Sequence, residues 1–575
     1  MPAHSVSTGD FRLGPIWPTC SGICKGARLG ADQACLAHLK PEELTSHLER
    51  WKDGETLDAR GVTIDGPLFD RIWTAAAELD GHKRLANVDF TGATFLCDVW
   101  FTGARFQAAA DFREATFGGQ ADFSGVTFDG SIDFSSVRFS AAVEFIGTTF
   151  RGFSRFENAR FEGFTHFGQA VFCDQALFGR STFAGPASFD QSRFDSFAVF
   201  DGCTFEVAAD LGRVLALKGL SLERAVFGES LKTLISAPAI KCTDSTFGGG
   251  VKLGVRFGEV ACGGCTFGKP SIISSFGPIF AVDPEIEAKL RRRDPKRDLE
   301  FSERPRLVSL RHADVANLLL SGVDLRACRF AGAYNLDKLR IEGDTVLAHS
   351  PKGWSIRQPW PPRKYWSRRR TVAEEHEWRD RQEQLEPATA HDRVNIRSRP
   401  QRARRPWYAG TPVESPDWLG TTDMFRALSA SEIASLYRAL RKRLEDQKDV
   451  PGAADFYYGE MEMRRHDHNS PVSERLILWC YWLVSGYGLR ASRALMCLVI
   501  TILVFAPLFY LWGFQGSART ALGSVLFTAE STTSLFHSPD RSLTYVGEAL
   551  DMGLRLLGPL FFGLGLLALR GRVHR

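Results

Sequence analysis

Residues 88–128 read VDFTGATFLCDVWFTGARFQAAADFREATFGGQADFSGVTF, and phenylalanine recurs through them at regular steps. From Phe90 the steps alternate between five and six residues, and they continue unbroken to Phe205. Twenty-two consecutive positions obey this rule, half of the 44 phenylalanines in the 575-residue chain. Two residues before each Phe the side chain is small or β-branched, from Val88 to Cys203. The fold must therefore turn an apolar ring inward at every step.

The alternating spacing decides which backbone can do this. Steps of five and six place successive rings on no single face of an α-helix, and an odd step of five alternates faces in a flat strand. The 11-residue period also fits a right-handed coiled coil, but 13 glycines and Pro186 within residues 85–205 disfavour a long helix. A chain that turns a corner at each step satisfies the pattern. Four sides make a 22-residue coil and stack one structural ladder: Phe90, Phe112, Phe134, Phe156, Phe178 and Phe200.

This pattern resembles the pentapeptide-repeat family, in a phenylalanine-rich variant with one extra residue in every second repeat. The resemblance implies a right-handed quadrilateral β-helix over residues 85–276, so the fold class is mainly β. After Phe205 the register weakens. Residues 277–305, with four prolines and a charged run, are interpreted as an insertion or loop. A second patch with plain five-residue spacing occupies residues 306–345.

Residues 1–84 precede the repeats and contain a cluster of potential metal ligands. Cys20, Cys24, Cys35 and His38 lie close together along the chain and can form a tetrahedral zinc site, or they can be ordinary buried thiols. A disulfide is disfavoured because no secretory signal is evident. Short helices predicted at residues 41–51 and 66–79 would cap the open end of the solenoid. Cys262 and Cys265 form a CxxC that we interpret as structural.

Residues 346–420 form a basic linker, and residues 421–493 form a helical hairpin with an interfacial helix. Between 351 and 410 the net charge is +8, with five tryptophans, a composition that can face nucleic acid, an anionic leaflet or the acidic repeats. We expect a helix over 429–449, a turn at 450–452 and a second helix over 453–465. The pair resembles a single tetratricopeptide unit, and residues 452–462 resemble a segment of pentapeptide-repeat proteins that end in membrane helices. Glu460 and Glu462 are expected to be solvated or to pair at a helix cap.

Residues 494–575 form a two-helix membrane domain. Residues 494–514 carry no charge and residues 553–569 carry only Arg555, so both are predicted to span the bilayer. The aromatic residues of 476–484 suit an interfacial helix. Six arginines flank the outer ends of the spans and two lie between them, which predicts that the N-terminus, the β-helix and the C-terminus are cytoplasmic at the cell (plasma) membrane.

The connection between the spans resembles the pore module of a two-helix potassium channel: span, short helix, hydroxyl-rich loop, span. The pore-loop candidates are Glu530, Ser531, Thr532, Thr533, Ser534 and Leu535. The run departs from the family because it has no glycine where a selectivity filter needs one. The resemblance therefore implies a related scaffold, while potassium selectivity is not expected.

Taken together, the sequence predicts a membrane-anchored, non-enzymatic scaffold whose β-helix docks an unknown protein partner. No nucleophile–base pair, phosphate loop or paired acid stands out. The alternative is an oligomeric two-span ion channel with a degenerate filter, gated by the repeats. A third alternative is a DNA mimic, since residues 85–205 carry a net charge of −6. The lipid bilayer and a homo-oligomer are further expected partners. No nucleic acid is expected, because the whole chain carries only +4, and zinc is the one cofactor considered.

Overall fold

The protein is described by a computed structural model that covers residues 17–20, 24–29, 34–277, 304–350, 353–355, 364–366, 369–385, 428–515, 520–533 and 542–573. Among these residues, one compact unit ends at Leu347 and a second begins at Ala348. The first unit holds the repeats, and the second holds most of the helices.

The first unit is a β-solenoid of about 11 turns, which confirms the predicted fold class. Each turn, or coil, contributes one short strand to each of several parallel sheets, here named faces 1 to 4 in chain order. Successive coils pair at the predicted 22-residue offset, for example Val88 with Ala110 and Phe95 with Phe117. The alternation of five and six residues therefore produces the predicted four-sided coil.

Faces 1 and 2 extend over most of the solenoid. Within the described residues, face 1 has eleven strands: Leu57–Asp58, Val88–Asp89, Ala110–Asp111, Ile132–Asp133, Ser154–Arg155, Ala176–Leu177, Phe197–Val199, Gly219–Ser221, Ala239–Lys241, Glu259–Ala261 and Arg306–Ser309. Face 2 has ten: Thr63–Ile64, Thr94–Phe95, Thr116–Phe117, Arg138–Phe139, Arg160–Phe161, Thr182–Phe183, Thr204–Phe205, Val226–Phe227, Thr246–Phe247 and Thr266–Phe267.

Faces 3 and 4 differ in length. In the part of the chain that the structure describes, face 3 has five strands: Val99–Trp100, Ala121–Asp122, Val143–Glu144, Thr165–His166 and Ala187–Ser188. Face 4 has thirteen: Ala77–Leu79, His82–Leu85, Arg105–Phe106, Thr127–Phe128, Thr149–Phe150, Val171–Phe172, Ser192–Phe194, Ala209–Ala216, Leu231–Ser236, Val251–Arg256, Ser271–Ser275, Leu318–Ser321 and Arg340–Glu342.

The coil becomes shorter after face 3 ends. From residue 209 one long strand follows face 2 in each coil, where earlier coils have two short strands separated by a corner. A bulge between Asp210 and Gly212 marks the change. Beyond it successive coils pair at a 20-residue offset, as in Phe227 with Phe247 and Phe247 with Phe267. The solenoid thus has four faces in its first part and three in its second, which explains why the five–six rule stops at Phe205.

The second repeat patch continues the same sheets. Strand Arg306–Ser309 pairs in parallel with Glu259–Ala261, and Leu318–Ser321 pairs with Ser271–Ser275. Most of the interruption predicted at 277–305 lies outside the described residues. The patch is therefore a continuation of the solenoid rather than a separate fold.

Two helices begin the solenoid. Helix α1 (Pro41–Lys52) buries Leu44, Leu48 and Trp51, and helix α2 (Gly66–Ala75) buries Leu68, Phe69 and Ile72. Helix α2 ends four residues earlier than predicted, because the chain forms strand Ala77–Leu79 instead. In the first coil α2 occupies the position of face 3, and its Phe69 ring packs edge-on against Phe101 with centroids 5.4 Å apart.

The second unit contains seven helices among its described residues: α3 (Ala373–Leu385), α4 (Ala430–Asp446), α5 (Val450–His466), α6 (Val472–Ser485), α7 (Ala491–Leu508), α8 (Ala521–Thr533) and α9 (Tyr545–Val573). A π-helical turn, Phe509–Gly513, extends α7 beyond Pro507. Two antiparallel strand pairs join Ala348–His349 to Arg370–Thr371 and Gly353–Ser355 to Lys364–Trp366.

Helices α4 and α5 form the predicted hairpin. Of the two serines that the sequence offers as caps, Ser429 and Ser431, it is Ser429 that caps α4, in a capping box with Glu432. The predicted turn at 450–452 is wrong, because these residues are the first turn of α5, capped by Asp449. Proline is tolerated there since the first-turn amides have no helical partner. The chain instead reverses at 447–449, where Lys448 has a positive φ of 61°.

Candidate functional site

The interior of the solenoid is filled by aromatic rings. The six ladder phenylalanines are at most 3% exposed. Their rings stack in register, with centroids 4.9 Å apart between Phe112 and Phe134 and 4.7 Å apart between Phe178 and Phe200. Two of the buried hydroxyls in the column two before Phe donate to backbone carbonyls: Thr148 to Phe123 at 2.7 Å, and Ser181 to Phe156. The described interior therefore offers no open position for a substrate.

The CxxC at Cys262 and Cys265 belongs to this wall. Cys265 occupies the column two before Phe267, and its thiol donates to the carbonyl of Cys242 at 2.8 Å. Contacts with Cys242 and Cys265, together with burial, raise the pKa of Cys262 well above its ordinary value. A protonated, enclosed thiol fits the structural interpretation of this motif.

The outer faces carry mixed charge. Acidic side chains commonly pair with arginines in neighbouring coils, at 3.2 Å for Asp133 with Arg155 and 2.8 Å for Glu162 with Arg138. Hydrogen bonds from the Arg213 guanidinium lower the pKa of Asp190. Face 3 also exposes apolar side chains near its first strand: Trp100 is 50% and Leu96 is 63% exposed. The described surface of the solenoid thus carries ion pairs between neighbouring coils together with a few exposed apolar side chains.

The predicted metal ligands converge on one point. One ligand atom from each of Cys20, Cys24, Cys35 and His38 lies within 4.8 Å of the other three. The Cys24 and Cys35 sulfurs are 3.7 Å apart, and His38 Nδ1 lies 3.5 Å from the Cys20 sulfur and 3.2 Å from the Cys35 sulfur. A tetrahedral zinc with Zn–S bonds of about 2.3 Å requires sulfur–sulfur edges of about 3.8 Å. The donor set and its spacing therefore fit Zn²⁺.

Local structure positions each of these ligands. Cys20 lies in a small antiparallel hairpin, where its amide donates to the carbonyl of Gly26 at 2.8 Å. The Gly26 amide points at the Cys24 sulfur from 3.4 Å. Cys35 caps a single 3₁₀ turn, Leu36–His38, and His38 is its last residue, so the two side chains are brought together by that turn. Burial, followed by the neighbouring Cys24 thiol, raises the pKa of Cys35 to about 12.

A buried cluster of charges in the second unit has no counterpart in the predictions. Glu375 is fully buried and accepts hydrogen bonds from Arg369, Arg379 and Tyr437. Glu462 is 5% exposed and contacts Arg465 at 2.8 Å. The cluster joins the chain around α3 to both helices of the hairpin, and the Tyr487 hydroxyl extends it beyond α6 by donating to Glu462 at 3.2 Å.

The expectation that Glu460 and Glu462 are solvated is therefore wrong. Glu460 is 2% exposed and lies 2.9 Å from both Arg438 and Arg441. Arginines on both sides hold the pKa of Glu462 at about 2, against the desolvation that would raise it. Glu462 also pairs with Arg379, which belongs to α3, and no local signal could have found a partner so distant in sequence.

Two helices are long and apolar enough to cross a membrane in the part of the chain that the structure describes. They span Ala491–Gly513 and Tyr545–Ala568, with mean hydropathies of 2.6 and 1.5. Apolar side chains cover their outward surfaces, with Leu503 65% and Leu556 73% exposed. The second candidate span begins eight residues earlier than predicted. Arg555 consequently lies farther from the end of the span than predicted, and it pairs with Asp551 inside the span at 2.8 Å.

Helix α8 packs against both candidate spans. Its Phe527 joins a buried cluster with Phe509, Phe514, Leu543 and Leu554. At Gly558 of α9, a Cβ would lie 2.0 Å from the carbonyl oxygen of Thr532, so the end of α8 lies directly on the α9 backbone. The short helix that the sequence predicts between the spans is thus present and closely packed.

The pore-loop candidates divide at the end of α8. Glu530, Ser531, Thr532 and Thr533 form its last turn rather than a loop, while Ser534 and Leu535 lie outside the described residues. The helix accommodates hydroxyl groups that donate to the carbonyl four residues earlier, as Thr528 does to Ser524 at 2.7 Å. The predicted role of the candidates in conduction stays a prediction.

Comparison with known families supports the repeat assignment. Residues 84–127 and 123–171 match the family model described as pentapeptide repeats (9 copies). No curated protein and no solved structure matches the chain significantly. The chain contains pentapeptide repeats that fold as a β-solenoid, and it carries two apolar helices at its C-terminal end.

Proposed function

We propose that this protein is a membrane-anchored, non-enzymatic scaffold whose β-solenoid docks a protein partner. The filled phenylalanine interior carries this proposal, because it leaves only the outer faces available for recognition. The two apolar helices provide the anchor, and their exposed apolar surfaces suit lipid. In this proposal the two helices cross the plasma membrane and both of their outer ends lie on its cytoplasmic side, in keeping with the arginine distribution.

The charge pattern of the faces favours a protein over nucleic acid as the partner. A DNA mimic needs rows of unneutralised acids, whereas several acids here are paired with arginines across coils. Exposed apolar groups on face 3, including Trp100, are typical of protein contacts. We therefore assign the docking surface to face 3 of the four-sided part.

Site-specific photo-crosslinking tests this assignment. A photoreactive phenylalanine analogue at Trp100 on face 3 is compared with the same analogue at Leu177 on face 1, the opposite side of the coil. We expect one discrete crosslinked protein from Trp100 in the membranes of expressing cells, and none from Leu177. Equal crosslinking from both positions, or none from Trp100, would contradict docking on face 3.

The proposed orientation is tested at Cys173, an exposed thiol of the solenoid. A membrane-impermeant maleimide should leave it unmodified in intact cells and should modify it after permeabilisation. The Cys173→Ser variant identifies the signal as coming from this position. Modification in intact cells would place the solenoid outside the cytoplasm.

A second candidate function is ion conduction by an oligomer. The observation in its favour is the position of α8, which packs against both candidate spans as a pore helix would. A single hairpin cannot enclose a pore, so conduction requires several copies. Purified protein is reconstituted in liposomes, tested for ion flux and sized in detergent. Flux from a tetramer that Thr532→Val abolishes would favour the channel, and a silent monomer would reject it.

We also propose that Cys20, Cys24, Cys35 and His38 bind one structural Zn²⁺. Four convergent protein donors fill a tetrahedral shell and leave no open coordination position, which is typical of structural sites. Chain purified without added metal should contain about one zinc, measured by mass spectrometry of the element. Cys35→Ser should lose it, while Cys173→Ser should retain it. A wild-type chain without zinc that also fails to bind added zinc would overturn this assignment.

A further inference from the structure

The beginning of the solenoid has a backbone edge that needs cover. Strand Leu57–Asp58 is the terminal strand of face 1, so no described coil lies below it. Its coil pairs upward through amides such as that of Ala59, which donates to Asp89 at 2.8 Å. The groups on its lower side would otherwise be open to another chain. Uncovered sheet edges of this kind promote association between molecules.

The cysteine-bearing hairpin contacts the first coil at the corner that directly follows this strand. Its two arms are joined by hydrogen bonds from Cys20 to Gly26 and from Arg28 to Pro18, at 2.8 and 3.0 Å. From this hairpin the Ala27 amide donates to the carbonyl of Arg60 in the first coil at 2.7 Å. The hairpin therefore provides the hydrogen bond that a preceding coil would otherwise make.

The fit between hairpin and coil leaves no spare room. Gly61 has a positive φ of 64°, and a Cβ there would lie 2.3 Å from the Lys25 carbonyl oxygen. On the other side, a Cβ at Gly26 would lie 2.7 Å from the Cys35 sulfur and 3.3 Å from Val62. The Arg60 guanidinium also lies 5.5 Å from the Trp17 ring centroid. The metal ligands and the first coil thus contact the same few backbone atoms.

We propose that Zn²⁺ at Cys20, Cys24, Cys35 and His38 locks this hairpin onto the first coil and makes it a metal-dependent end cap of the solenoid. The inference rests on the proposed zinc binding. A hairpin of this size cannot bury a core of its own, so its fixed shape depends on the ion that joins its four ligands. Loss of zinc frees the hairpin and uncovers the edge of face 1, which can then pair with a second copy of the chain.

The test uses the full chain in detergent, with and without a zinc chelator. Hydrogen exchange at the Ala27 amide should accelerate at least tenfold on zinc removal. Exchange at Gly103, whose amide donates to Ser124 in the next coil, should not change, which shows that the solenoid stays folded. Sedimentation should show concentration-dependent association of the zinc-free chain that added zinc reverses.

A variant that leaves every ligand in place separates the cap from the metal site. Gly61→Ala pushes the hairpin off the coil, so it should retain zinc and still associate. Gly54→Ala is the matched control, because Gly54 also has a positive φ but a Cβ there meets nothing within 4 Å. It should remain monomeric.

The outcomes distinguish the two proposals. Zinc bound at one per chain, with Ala27 exchange and the sedimentation profile unchanged on its removal, would overturn the cap and leave the zinc site standing. A Gly61→Ala chain that stays monomeric with Ala27 still protected would likewise overturn the cap. A chain that binds no zinc would instead overturn the metal site on which the inference rests.

Discussion

One guanidinium nitrogen of Arg369 lies 2.6 and 2.7 Å from the two carboxylate oxygens of Glu375, and both side chains are at most 5% exposed. Arg379 and Tyr437 bind the same carboxylate. A buried carboxylate is stable only when it is paired with opposite charge and both of its oxygens accept hydrogen bonds. The two guanidinium groups and the tyrosine hydroxyl satisfy both requirements for Glu375. This carboxylate fixes the chain before α3 to the helical hairpin.

Removing the charge of Glu375 should strongly destabilise the hairpin. Glu375→Gln removes the carboxylate that pairs with the buried Arg369, and it leaves Arg379 its pair with Glu462. Breaking a buried ion pair typically costs about 3–5 kcal/mol. Hydrogen exchange of α4 and α5 measures the loss as a lower free energy of opening. The control is Glu445→Gln, which removes the exposed partner of a half-buried arginine, Arg441, and should change this value by less than about 0.5 kcal/mol. Equal losses in the free energy of opening for the two substitutions would contradict a larger stabilising contribution from the buried pair.

The hairpin should lose stability in mild acid. Burial lowers the pKa of His376 to about 3 and that of His466 to about 4, so both are neutral in the folded state at pH 5. The unfolded chain binds these protons below a pKa of about 6.5, and stability therefore falls as pH decreases from there toward the folded values. Between pH 7 and 5 each histidine should account for about 2 kcal/mol.

Opening free energies of α4 and α5 at pH 7 and pH 5 check this expectation. The range stays above the pH where Glu375 and Glu462 take up protons. His466→Asn should reduce the pH dependence by about half, whereas the solenoid amides serve as an internal control. A hairpin equally stable at both pH values would contradict neutral buried histidines.

Two glycines of the solenoid should respond differently to the same substitution. A Cβ at Gly163 would lie 2.3 and 2.4 Å from the backbone carbon and oxygen of Ala141, and neither atom can move without shifting a coil. At Gly179 the nearest atom is 3.6 Å away, an ordinary contact. Gly163→Ala should therefore lower the denaturation midpoint clearly, by a stability loss of about 1–3 kcal/mol. Gly179→Ala should leave it unchanged or raised. The reverse order would refute the close approach of these coils.

The packing of α8 can be tested in the same way. A Cβ at Gly558 would collide with the Thr532 carbonyl, whereas one at Gly563 meets nothing within 4 Å. Gly558→Ala should lower the melting temperature of the membrane domain in detergent, and Gly563→Ala should not. If both variants melt like the wild type, α8 does not rest on α9.

The repeats were predictable because every four-sided coil repeats the same spacing of phenylalanines in the sequence. The ladder from Phe90 to Phe200 follows from spacing and ring size alone. The convergence of Cys20, Cys24, Cys35 and His38 was also predictable, since Cys35 and His38 share one turn and Cys20 and Cys24 are close along the chain. In both cases the deciding contacts are local or periodic, which a single sequence can show.

The remaining features depend on contacts that carry no periodic signal. The buried charges join Glu375 to Tyr437, 62 residues away, and Glu462 to Arg379. A glutamate in a helix with no visible partner is ordinarily solvated, which is why the sequence alone misplaces Glu460 and Glu462. Similarly, face 3 ends because residues from Ala209 onward form one long strand in place of two short ones. The mixed small and branched residues of this segment carry no pattern that predicts the change.

The change from 22-residue to 20-residue coils has a consequence for how the chain finds its alignment. Coils of equal length and similar sequence can pair with one another in more than one register. A folding solenoid can therefore pair a coil with the wrong neighbour at a small cost in free energy. Coils that differ in perimeter cannot exchange in this way, because a four-sided coil overhangs a three-sided one. The bulge between Asp210 and Gly212 lies at the boundary between the two kinds of coil, so this boundary fixes the register in which the coils on either side of it pair.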